Sequence, residues 1–271
     1  MIGQHTILKT IKMQIKNGTF PRFSIITGPR GSGKKTLAHW IYNELGEGIF
    51  SNRGISVDSV RDAIGDSYRI NGTPCIFLFA DADTMSTQAK NALLKVTEEP
   101  PNDAYFILTV SDMNTVLDTI RSRATVYYML PYSSDEILKY THNKDILIYD
   151  KIISELCETP GDVDLLCKNG VHELYDYAEK TVDNIATVSG ANAFKIANKI
   201  AFKDDAEGFD LRLFLRAFQS ICAKRMLTAD RAKYSRGVQL ASSCLSQLNT
   251  AGLNKGALFD IFILDIRRAW M

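Results

Sequence analysis

The sequence predicts an α/β domain with a mostly parallel sheet flanked by helices, followed by a region made of helices. In the first half of the 271 residues, short runs rich in β-branched and aromatic residues alternate with helical patterns. A helix between two strands returns the chain to the end where it started, so the two strands run parallel. Such crossover connections are right-handed. After Pro131 the helical patterns continue to the C-terminus.

The elements of the first half follow from hydrophobic periodicity and residue type. We predict helices at 7–15, 34–45 and 86–99 and strands at 23–27, 75–79, 105–110 and 126–130. In the last of these helices, Ala89, Leu93 and Val96 recur at spacings of three and four residues, and Pro100 ends the helix.

The second half carries signals for helix starts and breaks. Ser133 and Glu136 form a capping-box pattern that begins a helix. The segment 255–270 is apolar on much of its circumference, so we expect it to be buried on more than one side, in part against other chains. Breaks are expected near Pro160, Gly170 and Gly190. We predict three domains, at 1–132, 133–180 and 181–271.

Composition limits the classes of protein to which the chain can belong. Apolar residues make up 45% and charged residues 23%, which is typical of globular proteins and excludes a disordered tail or a coiled coil. The net charge of +1 excludes a bulk polyanion binder and leaves room for local basic patches. No long uncharged apolar run occurs and the start does not resemble a signal peptide, so we expect no membrane partner.

Cysteine and histidine usage indicates the compartment and the metal content. The five cysteines are odd in number and none forms a CxxC pair, while the four histidines show no ligand spacing. We therefore expect reduced thiols, a cytoplasmic location, and neither zinc nor another protein-held metal.

A glycine-rich loop is the first candidate site. Residues 28–34 fit the pattern GxxxxGK between a predicted strand and a predicted helix, which is the context that a phosphate-binding loop needs. In such a loop, backbone N–H groups and the helix N-terminus surround phosphate oxygens, and the lysine reaches the outer phosphates. The candidate nucleotide-binding residues are Gly28, Gly31, Ser32, Gly33, Lys34, Lys35 and Thr36. The alternative is a glycine turn without a ligand.

Lys35 departs from this pattern. An active site of this type places a serine or threonine there to hold Mg²⁺. Thr36 does not substitute, because one residue along a helix turns the side chain by roughly 100°. Lys35 either adds positive charge for phosphate or is a solvated lysine.

Acidic residues follow the second predicted strand. Asp81 lies where a phosphate-loop protein places a carboxylate that activates water, but Ala80 stands where the metal-binding aspartate is expected. The alternative is that Asp81 and Asp83 only cap the next helix.

Several motifs occur in one order along residues 1–131. They are Ile2-Gly-Gln, the phosphate loop, Val57-Asp-Ser-Val-Arg, Ala80-Asp-Ala-Asp, Gln88-Ala-Lys-Asn-Ala-Leu-Leu-Lys, Glu98-Glu-Pro-Pro and Thr119-Ile-Arg-Ser-Arg. This order resembles the clamp-loader subunits of the AAA+ superfamily, above all the delta-prime type of bacterial DNA polymerase III, in bacterial or phage-encoded form. Beyond residue 131 the resemblance rests on helical organisation alone. It implies an AAA+ domain, a small helical lid domain and an all-α C-terminal collar.

The resemblance also implies roles for single residues. Arg123 matches the arginine finger, which reaches the phosphates of a neighbouring subunit. Ser111 matches the position that senses the outermost phosphate, and Asp81 matches the catalytic acidic position in a degenerate form. Gly3 and Gln4 match a segment that lines the adenine pocket, with plain N-terminal packing as the alternative.

Three departures from the family pattern agree with one another. Lys35 replaces the metal-binding hydroxyl, Ala80 replaces the metal-binding aspartate, and Asp162 stands where relatives carry a second phosphate-sensing arginine. Each change weakens stabilisation of the transition state at the phosphates. We expect ATP or ADP as the cofactor if one binds, leave Mg²⁺ open, and expect little or no ATP hydrolysis by this chain.

The favoured hypothesis is therefore a clamp-loader subunit that does not hydrolyse ATP and completes a neighbour's site with Arg123. The implied partners are other subunits of a hetero-oligomeric ring, expected to be a pentamer, a sliding clamp and primer–template DNA. Arg61 and Lys90 are candidates for contact with DNA. The alternative is an ATP-hydrolysing AAA+ motor subunit or remodeller, and a weaker third hypothesis is an interaction module that works without nucleotide.

Overall fold

The structure, a computed structural model, describes residues 2–70, 72–101, 103–144, 149–201, 208–248 and 253–271. It divides into two compact units, Met1–Tyr132 and Ser133–Met271. The division of the second half at residue 180 stays a prediction.

The first unit is a five-stranded parallel sheet flanked by helices, as predicted. Its strands are β1 (Phe23–Thr27), β2 (Ile49–Arg53), β3 (Cys75–Phe79), β4 (Ala104–Val110) and β5 (Thr125–Tyr128). Its helices are α1 (His5–Lys16), α2 (Lys34–Leu45), α3 (Val57–Ser67), α4 (Thr87–Glu98) and α5 (Asp118–Arg121). The strand order is β2-β3-β4-β1-β5, and every pair is parallel.

Every residue of β1 and β3 is buried, so both faces of the sheet are covered there, which explains why the two strands are mostly apolar. On one face α1 and α2 pack over Ile26, Ile76 and Ile107. On the other face α3, α4 and α5 pack over Phe77 and Phe106, whose rings stack at 5.1 Å. The sheet is therefore the middle layer of three.

Strand β2 and helices α3 and α5 were not predicted, and the last strand was displaced. Strand β2 has a polar composition and an exposed Ile49, because it is an edge strand that pairs only with β3. Helix α3 is capped by Ser56, whose side chain accepts from the backbone N–H of Ser59. The last strand lies at 125–128, whereas we predicted 126–130.

The second unit is mainly helical. Its helices are α6 (Ser134–His142), α7 (Asp150–Leu156), α8 (Pro160–Asn169), α9 (Val171–Asn184), α10 (Gly190–Ala193), α11 (Leu211–Arg225), α12 (Arg231–Gln247) and α13 (Lys255–Trp270). A two-residue parallel pair, β6 (Ile200–Ala201) and β7 (Phe209–Asp210), was not predicted. Helix α11 packs against α7, α9 and α12, and α12 packs against α13.

Capping determines where two of these helices begin. Ser133 closes the predicted capping box with Glu136 at the start of α6. Thr159 and Asp162 form a second capping box at α8, where Pro160 occupies the first turn. The break predicted near Pro160 is thus a helix start.

Helix α13 is less buried within the chain than its composition suggested. Phe259, Ile263 and Ile266 are fully buried, but Ile261 and Leu264 are exposed. Burial against other chains stays a prediction. Among the described residues, no helix combines the length and the apolar character needed to span a membrane.

Candidate functional site

The candidate site lies at the carboxyl edge of the parallel sheet. Strand β4 lies between β3 and β1 in the sheet, so the segments that follow these three strands meet at one edge. They carry Asp81, Ser111 and the phosphate loop. Ligands of open parallel sheets bind at this edge.

The loop has the backbone shape that its glycines allow. Gly31 and Gly33 adopt left-handed φ values of 77° and 89°. A Cβ at Gly28 would lie 2.5 Å from the Cβ of Met129, so only glycine fits there. The hydroxyl of Tyr132 donates to the carbonyl of Ser32 at 2.7 Å and fixes the loop from outside.

Helix α2 begins directly after this loop without a side-chain cap, since its N-cap residue is Gly33. Its first N–H groups therefore remain available for an anion, which the helix dipole also favours. The exposed side chain of Thr36 lies on the same first turn. The loop fits a phosphate group.

Lys34 is buried in the loop. Its ammonium donates to the carbonyls of Gly28 at 2.7 Å and Pro29 at 3.0 Å, and to the hydroxyl of Ser111 at 3.1 Å. Burial lowers the pKa of Lys34, and the carboxylates of Asp83 and Asp81 oppose that shift. The structure thus brings together Lys34 and Ser111, which the sequence separates widely.

Lys35 contacts Asp81, which is another candidate residue at the carboxyl edge of the sheet. Its ammonium lies 2.8 Å from Oδ2 of Asp81, and both side chains are more than half exposed. Asp81 has a left-handed φ of 55°, and its N–H donates to the hydroxyl of Thr109 at 3.0 Å. An ion pair therefore occupies the space between α2 and the end of β3.

These residues do not fit Mg²⁺, which requires an octahedral set of oxygen ligands. Lys35 offers an ammonium where a hydroxyl is needed, and this ammonium already pairs with the carboxylate of Asp81. Ala80 contributes no ligand. In the part of the chain that the structure describes, no group of three or more His, Cys, Asp or Glu side chains could hold a metal ion.

Asp83 holds a turn together. Its carboxylate accepts from the N–H groups of Ser111 and Asp112 at 2.9 Å and from the hydroxyl of Thr115 at 3.3 Å. The contact positions the segment that carries Ser111, rather than capping the next helix.

Arg123 lies at the opposite edge of the sheet from the phosphate loop. Arg123 precedes β5, whose first residue, Thr125, pairs with Ser24 near the amino end of β1. Gly28 follows the carboxyl end of β1. The six residue-to-residue steps from Arg22 to Gly28 span roughly 20 Å of extended chain. Arg123 is half-exposed, donates to the carbonyl of Thr119 at 2.9 Å, and pairs with Glu98 at 3.1 Å.

Asp162 is buried within the second unit. Its carboxylate accepts from the N–H groups of Glu158 and Thr159 and from Arg216 of α11 at 2.9 Å. The ion pair between Asp162 and Arg216 thus joins α8 to α11. The sequence carried no signal for Arg216 as its partner, because they lie 54 residues apart.

Gln4 makes packing contacts. Its side-chain amide donates to the carbonyl of Leu130 and accepts from the N–H of Leu130, both at 2.8 Å. These two bonds attach the N-terminal segment to the chain after β5. They favour the packing interpretation over an adenine pocket.

Comparison with known proteins gives matches among subunits of DNA polymerase III and of replication factor C. The family described as DNA polymerase III, delta subunit, matches residues 48–133. A replication factor C small subunit from Methanothermobacter thermautotrophicus is 30% identical over 166 residues, covering 55% of this chain and 51% of the relative. The DNA polymerase III subunit delta' of Escherichia coli is 28% identical over 110 residues, covering 40% and 33% of the two chains.

A solved structure supports the fold over the whole chain. A DNA polymerase III gamma subunit-related protein from Thermotoga maritima has a TM-score of 0.52 at 17% identity, covering 97% of this chain and 99% of its own. The chain spans about half the length of the first curated relatives it matches. The resemblance to AAA+ clamp-loader subunits is confirmed.

Proposed function

Because this chain resembles AAA+ clamp-loader subunits in motif order, fold and sequence, we propose that it is a clamp-loader subunit of a DNA replication complex. In this role it does not hydrolyse ATP itself. It supplies Arg123 to the nucleotide of a neighbouring subunit, so that the ring opens a sliding clamp and places it on primer–template DNA. We place this work in the cytoplasm.

The position of Arg123 is the observation that carries this proposal. Its side chain is half-exposed at the amino edge of the sheet, roughly 20 Å of strand away from the chain's own phosphate loop. An arginine in that position cannot serve its own loop. It is available to a second subunit once its pairing with Glu98 is exchanged for phosphate.

The proposed lack of hydrolysis follows from Lys35 and Ala80. A hydrolysing site needs a metal ion on the outer phosphates and a carboxylate that orients water. Here the ammonium of Lys35 lies 2.8 Å from the carboxylate of Asp81. Asp81 is then engaged and no side chain is left to hold the metal.

A groove between α3 and α4 is the surface we propose for the DNA. It has a volume of about 550 Å³ and is lined by Arg61, Ile64, Gln88, Asn91, Ala92 and Lys95. Two cations and two amides suit a phosphate backbone. Lys90, the other predicted contact, instead donates to the carbonyl of Thr115 at 2.6 Å, so Arg61 and Lys95 are the stronger candidates.

The test measures ATP hydrolysis by the complex recovered with this chain as bait. Arg123→Ala should strongly lower the clamp- and DNA-stimulated turnover, because an arginine finger stabilises the charge of the transition state. Lys34→Ala should leave turnover near that of wild type.

Arg121→Ala is the matched control. Arg121 lies two residues away, is half-exposed and pairs with Asp118 at 2.7 Å, so its loss removes a charge from the same surface. Equal effects of Arg121→Ala and Arg123→Ala would exclude a finger role. A strong loss in Lys34→Ala would show instead that the chain is an ATP-hydrolysing motor subunit.

A further inference from the structure

We propose that the phosphate loop binds a nucleoside polyphosphate without a divalent metal, with the ammonium of Lys35 as the cation that replaces it. This inference rests on the proposed function for the nature of the ligand. It goes beyond that function, because it specifies how a site that does not fit Mg²⁺ can still hold polyphosphate charge.

The charges around the loop are the first argument. Lys34 is surrounded by Arg30, Lys35, Asp81 and Asp83, all close enough to affect its pKa. At the loop itself, the ammonium of Lys35 adds a second positive charge to that of Lys34 and offsets the carboxylate of Asp81. In a site of the usual kind, the single lysine and the carboxylates depend on the metal for that balance. Here side chains provide it permanently.

The shape of the loop is the second argument. The hydroxyl of Ser32 is fully buried, has no hydrogen-bond partner among the described residues, and lies 3.3 Å from the place of a Cβ on Gly28. The first turn of α2 has no side-chain cap, whereas α3 and α4 are capped by serines. The loop therefore retains unused donors, although its metal position is lost.

The Lys35–Asp81 pair is the third argument. The two atoms are 2.8 Å apart and the pair is reached by solvent, so its net contribution to folding stability is small. Lys35 can therefore turn from Asp81 to a phosphate at little cost. A divalent ion in the same place would be repelled by the ammonium of Lys35, which stays nearby whether it pairs with Asp81 or with a phosphate.

Titration calorimetry of the full chain with ATP and ADP tests the proposal, in EDTA and in excess MgCl₂. We expect wild type to bind at least as tightly in EDTA as with magnesium. Lys35→Thr should weaken binding in EDTA by roughly tenfold, the loss of one charge-assisted hydrogen bond. The double variant Lys35→Thr/Ala80→Asp should bind more tightly with magnesium than without it.

Lys9→Thr is the control, because Lys9 is exposed on α1 in the same unit. Far-UV circular dichroism shows whether each variant is folded. Two results would overturn the proposal: binding that requires magnesium in wild type, or no binding under either condition. Neither result touches the Arg123 test, which depends on the neighbour's nucleotide, so the two proposals fail separately.

Discussion

Asp162 illustrates how a residue assigned by position along the chain acquires its role from its surroundings. The resemblance placed it where relatives carry an arginine. Its side chain is 2% exposed and serves as the third residue of a capping box and as the partner of Arg216. Removing one member of a buried ion pair leaves the other charge without compensation.

We expect Asp162→Ala to lower the free energy of unfolding by about 3 kcal/mol, since it removes a helix cap and the buried carboxylate that pairs with the guanidinium of Arg216. Urea denaturation followed by circular dichroism measures this. Glu158→Ala is the control, because Glu158 pairs with the same guanidinium but is 73% exposed, and it should cost less than about 1 kcal/mol. Equal losses in both variants would contradict the buried role.

Lys35 and Ala80 depart from a local motif, and these departures are visible in the sequence alone. A metal site requires particular atoms at particular positions of a local motif, so a wrong residue type is visible without any structure. The pairing of Lys35 with Asp81 was not visible, because the two lie 46 residues apart and meet only through the strand order.

Helices α12 and α13 show how packing overrides helix propensity. Gly237 lies within α12, where alanine is intrinsically the better helix former. A Cβ at Gly237 would lie 2.8 Å from Trp270 and 3.0 Å from Cys222, both of them buried. Trp270 also donates from its indole N–H to the carbonyl of Lys233 at 2.9 Å, which holds the ring in place.

Gly237→Ala should therefore lower the melting temperature, because overpacking a close contact costs about 1–3 kcal/mol. Gly65→Ala in α3 is the matched control: a Cβ there meets nothing within 4 Å, and the same substitution should stabilise by up to about 1 kcal/mol. Differential scanning calorimetry measures both. A rise in melting temperature for Gly237→Ala would show that α12 and α13 do not pack closely at Gly237.

The strands of the sheet differ in how well their own sequences predict them. Strands β1 and β3 are buried on both faces, so their sequences are mostly apolar and predict strands. Strand β2 lies at an edge and is half-exposed, so its sequence resembles a loop. Only its pairing with β3 makes it a strand.

Burial also governs the thiols of the whole chain. It raises the pKa of Cys75 and Cys244 to about 11 and that of Cys222 to about 12, and it raises the pKa of Cys157 further. At pH 8 these groups are protonated as well as inaccessible.

We expect the native chain at pH 8 to react with a thiol reagent only at the half-buried Cys167, and slowly, because burial raises its pKa too. The absorbance of the chromophore that the reagent releases counts the reacted thiols. Cys167→Ser should abolish the reaction of the native chain. In urea all five cysteines of the wild type should react. Rapid modification of several thiols without urea would contradict this burial.

The sequence alone was enough for the α/β order, the glycine-rich loop at 28–34, the departures at Lys35 and Ala80 from the family pattern, and the resemblance to clamp-loader subunits. These features depend on neighbouring residues, whose spacing expresses helix and strand periodicity directly. The pairing of Lys35 with Asp81, of Arg123 with Glu98 and of Asp162 with Arg216 came from tertiary structure. Strand order and helix packing bring these distant side chains together, and no local pattern encodes a contact that depends on the path of the whole chain.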